Sequence, residues 1–139
     1  MSSEFQVEIL TPAKEVITTS ASEVLLPTFR GEIGILPMHE DICGLLSTGT
    51  LKLVSNNKDY WFMISGGAFK VVSGVLTVLA EYALGADNVE IENSQARLKE
   101  IEAEIGTNAN ILDEKISLLL SEKQRLTASL EANRRHTMS

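Results

Sequence analysis

Up to about residue 85 the apolar positions come in short runs broken by turn residues; beyond about residue 90 they recur at helical spacing. In the first stretch, residues 7–10, 23–26, 51–54, 60–64, 68–72 and 75–79 have strand length and are rich in Val, Ile, Leu and aromatics. Ser73-Gly74 fits a two-residue hairpin turn between two of them, and Ser55-Asn56-Asn57-Lys58-Asp59 reads as a polar loop between another two. All three prolines and most of the glycines fall in this half. Many short strands with such punctuation predict an N-terminal β-sandwich or flattened barrel spanning residues 1–87.

Residues 88–139 read differently. Ile91, Leu98, Ile101 and Ile105 lie on one helical stripe, and Leu112, Ile116, Leu119, Leu126 and Leu130 on a second, whose missing step is Lys123. Gly106-Thr107-Asn108-Ala109-Asn110 interrupts them, with Gly106 placed to end the first helix and Asn110 to cap the next. The pattern predicts a C-terminal antiparallel two-helix hairpin. Charge is divided within it. The first helix carries Glu90, Glu92, Glu100, Glu102 and Glu104 against Arg97 and Lys99; the second carries Lys115, Lys123, Arg125, Arg134 and Arg135 against Glu122 and Glu131. Two readings stand: attraction between the helices, or a basic helix aimed at an acidic partner.

The formal net charge of -7 excludes a sequence-independent nucleic-acid binder, which needs a basic face to displace counterions from phosphates. No apolar run reaches the roughly 20 residues of a membrane helix, and the N-terminus lacks the features of a signal or transit peptide, so no direct membrane insertion is expected. Cys43, the single cysteine, has no basic neighbour in sequence and reads as a small buried side chain. No zinc-ligand spacing, Cys-x-x-Cys or Walker loop occurs. Gly66-Gly67 opens a strand and reads as a tight turn or bulge. The remaining polar cluster is His39-Glu40-Asp41, which a small enzyme could use as a general base but which reads better as a loop contacting another protein.

Three segments carry a family resemblance. Gly31-Glu32-Ile33-Gly34-Ile35-Leu36-Pro37-Met38-His39 has the form G-E-(I/L)-G-(I/L)-x-P-x-H. Leu45-Leu46-Ser47-Thr48-Gly49-Thr50-Leu51 follows, with Thr48 where proline is common. Ser65-Gly66-Gly67-Ala68-Phe69-Lys70-Val71 precedes Val75-Leu76-Thr77-Val78-Leu79-Ala80, with Lys70 replacing an acid. In this order, followed by a helical hairpin, they resemble the epsilon subunit of bacterial F-type ATP synthases.

The resemblance implies a non-catalytic rotor subunit whose sandwich grips the gamma subunit and stands on the c-ring, at the cytoplasmic face of the bacterial inner membrane. It implies a contact loop with Gly31, Glu32, Ile33, Gly34, Pro37 and His39 at its ring-facing end. It also implies a hairpin that lies compact on the sandwich or extends, its second helix then reaching the alpha/beta catalytic head and obstructing hydrolysis. Lys123, Arg125, Arg134 and Arg135 would then meet an acidic segment of the beta subunit, and Lys123, a charge on the apolar line, would weaken the compact form. Some relatives bind ATP through I-D-x-x-R-A. Here Ile91, Glu92, Gln95 and Ala96 hold the matching positions, and neither Gln95 nor, in an ungapped register, Asn93 supplies the cation. Losing a charge-assisted bond to a polyphosphate costs about 1.5–3 kcal/mol, so weak or no ATP binding and no cofactor are expected. A freestanding adaptor whose hairpin pairs with itself is the other alternative; Lys123 breaks its seam.

Overall fold

A computed structural model describes residues 3–107 and 113–138, with eight strands preceding two helices. The strands are β1 (Phe5–Leu10), β2 (Glu15–Ala21), β3 (Glu23–Thr28), β4 (Gly31–Ile35), β5 (Ile42–Leu45), β6 (Gly49–Ser55), β7 (Lys58–Val72) and β8 (Val75–Gly85). They form one curled sheet in the order β2-β1-β8-β7-β6-β3-β4, with β5 also paired to β7. Ser22 N–H donates to Val54 O at 2.8 Å and Ser55 Oγ to Ser20 O at 2.7 Å, which ties the β2 end of the sheet back onto β6. The result is the expected flattened β-sandwich. Its interior is filled by alternate residues of the strands, among them Val7, Ile9, Val24, Leu26, Ile35, Leu51, Leu53, Ile64, Val71, Leu76 and Val78.

The two runs read at residues 60–64 and 68–72 are halves of a single strand. β7 is 15 residues long; β6 pairs with its first half and β5 with its second, while β8 pairs with both. Gly66 and Gly67, at φ 69° and 106°, bend it in mid-course rather than opening it. A Cβ on Gly67 would stand 2.0 Å from the carbonyl oxygen of Leu79, so only glycine lets β7 and β8 stay paired there. Ser73-Gly74 is the expected two-residue turn, with φ 50° and 78°. The polar loop at residues 55–59 contracts to a second such turn at Asn56-Asn57, φ 54° and 63°, with Ser55 and Lys58 already paired.

β4 corrects the reading of residues 31–39 as a loop. Ile35 is buried and Ile33 half-buried, while Glu32 and Gly34 face solvent; this period of two was hidden by the glycines. β2 and β5 were likewise unread, their alternation being weak in apolar residues. On β5, Ile42 and Gly44 turn toward the protein and Cys43 and Leu45 away, so Cys43 is exposed and not buried.

A 3-10 turn (Ala86–Asn88) leads into α1 (Ile91–Thr107), and α2 (Asp113–Met138) follows. α2 lies on β6, β7 and the 3-10 turn, and α1 packs on α2. The buried face of α2 is Leu119, Ala128, Ser129 and Ala132. Leu126 and Leu130 of the expected stripe are half-buried beside it, because small residues let helix and sheet approach more closely than leucines would. On α1, Ile101 and Ser94 are buried, whereas Ile91 is 42% exposed and stands off the expected stripe. Gly106 lies inside the last turn of α1 and has no positive φ, so it does not end the helix. Leu112 and the proposed cap Asn110 lie outside the described residues.

Candidate functional site

β4 separates the residues of the proposed contact segment into two groups. At one end, Gly31 (φ 102°) follows the Phe29-Arg30 turn; Thr28 Oγ1 donates to Gly31 O at 2.6 Å, and Arg30 N–H donates to Thr28 Oγ1 at 3.2 Å. Glu32 sits beside Pro27 in the β3–β4 register, and Ile33 and Gly34 continue the strand. At the other end, beyond Ile35, residues 36–39 form a turn closed by His39 N–H to Leu36 O at 3.2 Å. Pro37 sets its first corner and Met38, at φ 63° and 88% exposed, its second. Glu32 and His39 therefore stand on the order of 10 Å apart along the strand direction rather than side by side.

His39, Glu40 and Asp41 do not converge. His39 Nδ1 lies 2.7 Å from the Glu40 carbonyl oxygen, and the Asp41 carboxylate accepts from Ser73 N–H at 2.9 Å. Asp41 thus pins the β7–β8 turn to the segment after Pro37, which explains an acid at this position without chemistry. Among the described residues no group of three His, Cys, Asp or Glu side chains could hold a metal ion.

The four basic residues singled out on α2 are all engaged. Lys123 Nζ pairs with Glu102 on α1 at 3.7 Å, a pair whose side chains are both largely exposed. Arg125 lies over the Tyr82 ring, 4.3 Å from its centroid, and Arg135 lies 5.2 Å from that of Trp61. Arg134 and Arg135 both donate to Glu131, whose carboxyl their hydrogen bonds hold down at about 2. The attraction between helices is also present. Arg97 Nε and Nη2 grip the Glu122 carboxylate at 2.9–3.2 Å, Arg97 Nη1 reaches Glu100 at 3.1 Å, and Lys115 pairs with Glu104 at 2.6 Å. These bonds raise the Arg97 pKa, and the same Arg97 hydrogen bond lowers that of Glu122.

Ile91, Glu92, Gln95 and Ala96 lie exposed on the first turns of α1. Asn93 Nδ2 donates to Glu90 Oε2 at 2.5 Å. The nearest cation along the helix, Arg97, is already committed to two carboxylates. Sequence reasoning missed Trp61, Tyr82 and Asn133, whose Nδ2 donates to Ala86 O at 3.1 Å. An aromatic on a strand gives no sign that a helix from a later segment will cover it.

Comparison with known proteins agrees with this architecture. The family model described as "ATP synthase, Delta/Epsilon chain, beta-sandwich domain" matches residues 4–86. The ATP synthase epsilon chain of Desulforamulus reducens is 31% identical over 108 residues, covering 78% of this chain and 82% of its own. That of Neisseria meningitidis is 33% identical over 126 residues, covering 89% and 86%. In fold, the chain is similar to one in the mitochondrial ATP synthase of Euglena gracilis, with a TM-score of 0.76 at 20% identity over 94% of this chain and 83% of that one. The chain belongs to the ATP synthase epsilon chain family.

Proposed function

We propose that this chain is a non-catalytic central-stalk subunit of an F-type ATP synthase, with residues 1–87 docking it to gamma and the c-ring and residues 88–139 regulating ATP hydrolysis. The observation that carries the reading is the family match over residues 4–86, which coincides with a closed sandwich that has its own buried core. Its candidate contacts are the two ends of β4, Gly31-Glu32 and Pro37-His39. α2, 26 residues and so about 39 Å long, supplies the regulatory element. Among the described residues no helix is long and apolar enough to cross a membrane. On the family reading, the subunit would associate with the cytoplasmic face of a bacterial inner membrane through its partners. The exposed start of α1 lacks a free cation at the positions where ATP-binding relatives carry arginine, which supports weak or no ATP binding.

The test is co-purification with gamma and the c-ring, for the full chain and for one ending at Asp87. Both should co-purify and both should support ATP-driven ion pumping, and the shortened chain should raise ATP hydrolysis by the assembled enzyme. A folded full-length chain that binds neither partner would overturn the assignment.

A further inference from the structure

The outward side chains of β1, β8, the second half of β7, and β5 lie in register across one face of the sandwich. Val75 and Val72 are neighbours in one row, and Leu79 lies between Leu10 and Ala68 in another, which Leu45 extends. Glu8, Thr77 and Lys70 form the row between them. A sheet face turned to water is normally polar. Here Leu45 and Leu79 are 67% and 50% exposed, and Val72 and Val75 are 50% and 37% exposed. α2 lies on β6, β7 and the 3-10 turn and leaves these four open to solvent. Neighbouring exposed aliphatic side chains of this kind mark an interaction surface.

The charges on this face say what fits it. Glu8 and Lys70 have no ion-pair partner among the described residues. They stand one strand to either side of β8, with Thr77 between them. A second copy, turned over about an axis along β8, sets its Lys70 above Glu8 and its Glu8 above Lys70. The same turn brings Leu79 to Leu79 and Val75 to Val75. An axis across the strands, through the middle row, would instead set Glu8 against Glu8 and Lys70 against Lys70. The charges thus favour one aligned packing and oppose the other. Lys70 stands where the resembling subunits carry an acid, so the complementarity is a property of this chain.

We propose that this face is self-complementary, and that the free chain forms an isologous dimer through it with the twofold axis along β8. Twisted sheets packed in this way cross at about 30° and diverge at their corners. Contact is then confined to the strip along β8, and the dimer is weak, with a dissociation constant of about 10–100 μM. Free chains cover each other's aliphatic rows until a larger partner takes them. The pairing needs no assignment of the chain to an assembly, so its failure leaves the reading above untouched.

Sedimentation velocity of the isolated full-length chain, from about 1 to 300 μM, tests it. Wild type should pass from monomer to dimer across that range. Lys70→Glu and Glu8→Lys each set like charges face to face and should raise the dissociation constant at least about tenfold. Glu8→Lys combined with Lys70→Glu restores opposite charges and should return it to within about threefold of wild type. That rescue separates a registered pair from general stickiness and from misfolding. Leu79→Ser, on the axis, should abolish the dimer. Cys43 lies two strands from β8, so the cysteines of the two copies are on the order of 20 Å apart, too far for oxidation to join them. A wild-type chain monomeric throughout overturns the dimer, as does a double variant no better than the single ones. A Cys43-linked dimer as the main oxidised product overturns the axis. A monomeric wild type whose Leu79→Ser variant no longer co-purifies with gamma would give the face to gamma, and also overturns the dimer.

Discussion

Gly67 and Gly106 show how differently one residue type can be constrained. Gly67 combines a left-handed φ with a backbone carbonyl 2.0 Å from where a Cβ would stand. Alanine there must push β7 away from β8 at the bend that lets one strand serve both halves of the sandwich. Gly67→Ala should cost about 3 kcal/mol or more, through backbone strain and lost pairing. Gly106, in the last turn of α1 with nothing within 4 Å, should accept alanine with a gain of up to about 1 kcal/mol. Denaturant melts of the two variants check both signs, and a Gly67→Ala protein as stable as wild type would mean that the bend is not required. The motif containing Gly66-Gly67 was visible in the chain. That it marks a bend within a strand rather than a beginning was not, because the close approach of Leu79 is made by a segment twelve residues further on.

At the scale of elements, the contact between α1 and α2 is electrostatic enough to be read by pH. Across the contact, Glu122 has its pKa lowered by the Arg97 hydrogen bond; within α2 itself, Glu131 is brought to about 2 by Arg134 and Arg135. A carboxylate with a depressed folded-state pKa contributes stability above its unfolded value, near 4.3, and loses it as pH falls toward the folded value. Helix content and α2 protection should therefore be flat from pH 7 to about 5, then decline between about pH 4.5 and 2. Glu122→Gln should reduce the depth of that decline. At pH 7 the same change should cost at most about 1 kcal/mol, since the side chains of the pair are 39% and 31% exposed and solvent screens them. A hairpin equally protected at pH 2.5 and 7 would contradict this.

The two helices and six of the strand segments were legible because their periods, 3.6 and two, differ so plainly. β2, β4 and β5 were not, since threonine, serine and glycine dilute the alternation that marks a strand. The candidate site was legible by composition only. The basic residues of α2 could be named from the chain, but their partners Tyr82, Trp61 and Glu102 are set by tertiary packing.

Over the whole molecule, α2 is the element through which the hairpin meets the sandwich, and α1 is carried on α2. Local opening follows the number and depth of such contacts. Amide exchange should thus be slowest in β7 and β8, faster in α2 and faster again in α1. Greater protection of α1 than of α2 would show that the hairpin is anchored the other way round.

The order of strands in the sheet also bears on how the chain emerges during synthesis. β1 meets β2 at once, but its other edge joins β8 in parallel, with Gln6 beside Val75 and Leu10 beside Leu79. About 70 residues must be made before that edge finds its mate, a long loop to close. Until then the nascent chain carries an apolar strand with one open side, the kind of surface that chaperones shield. The sandwich can close only after β8 has left the ribosome, when the segment still inside is the one destined for the hairpin. Translation itself therefore separates the two parts in time: the hairpin is completed over a sandwich already able to fold.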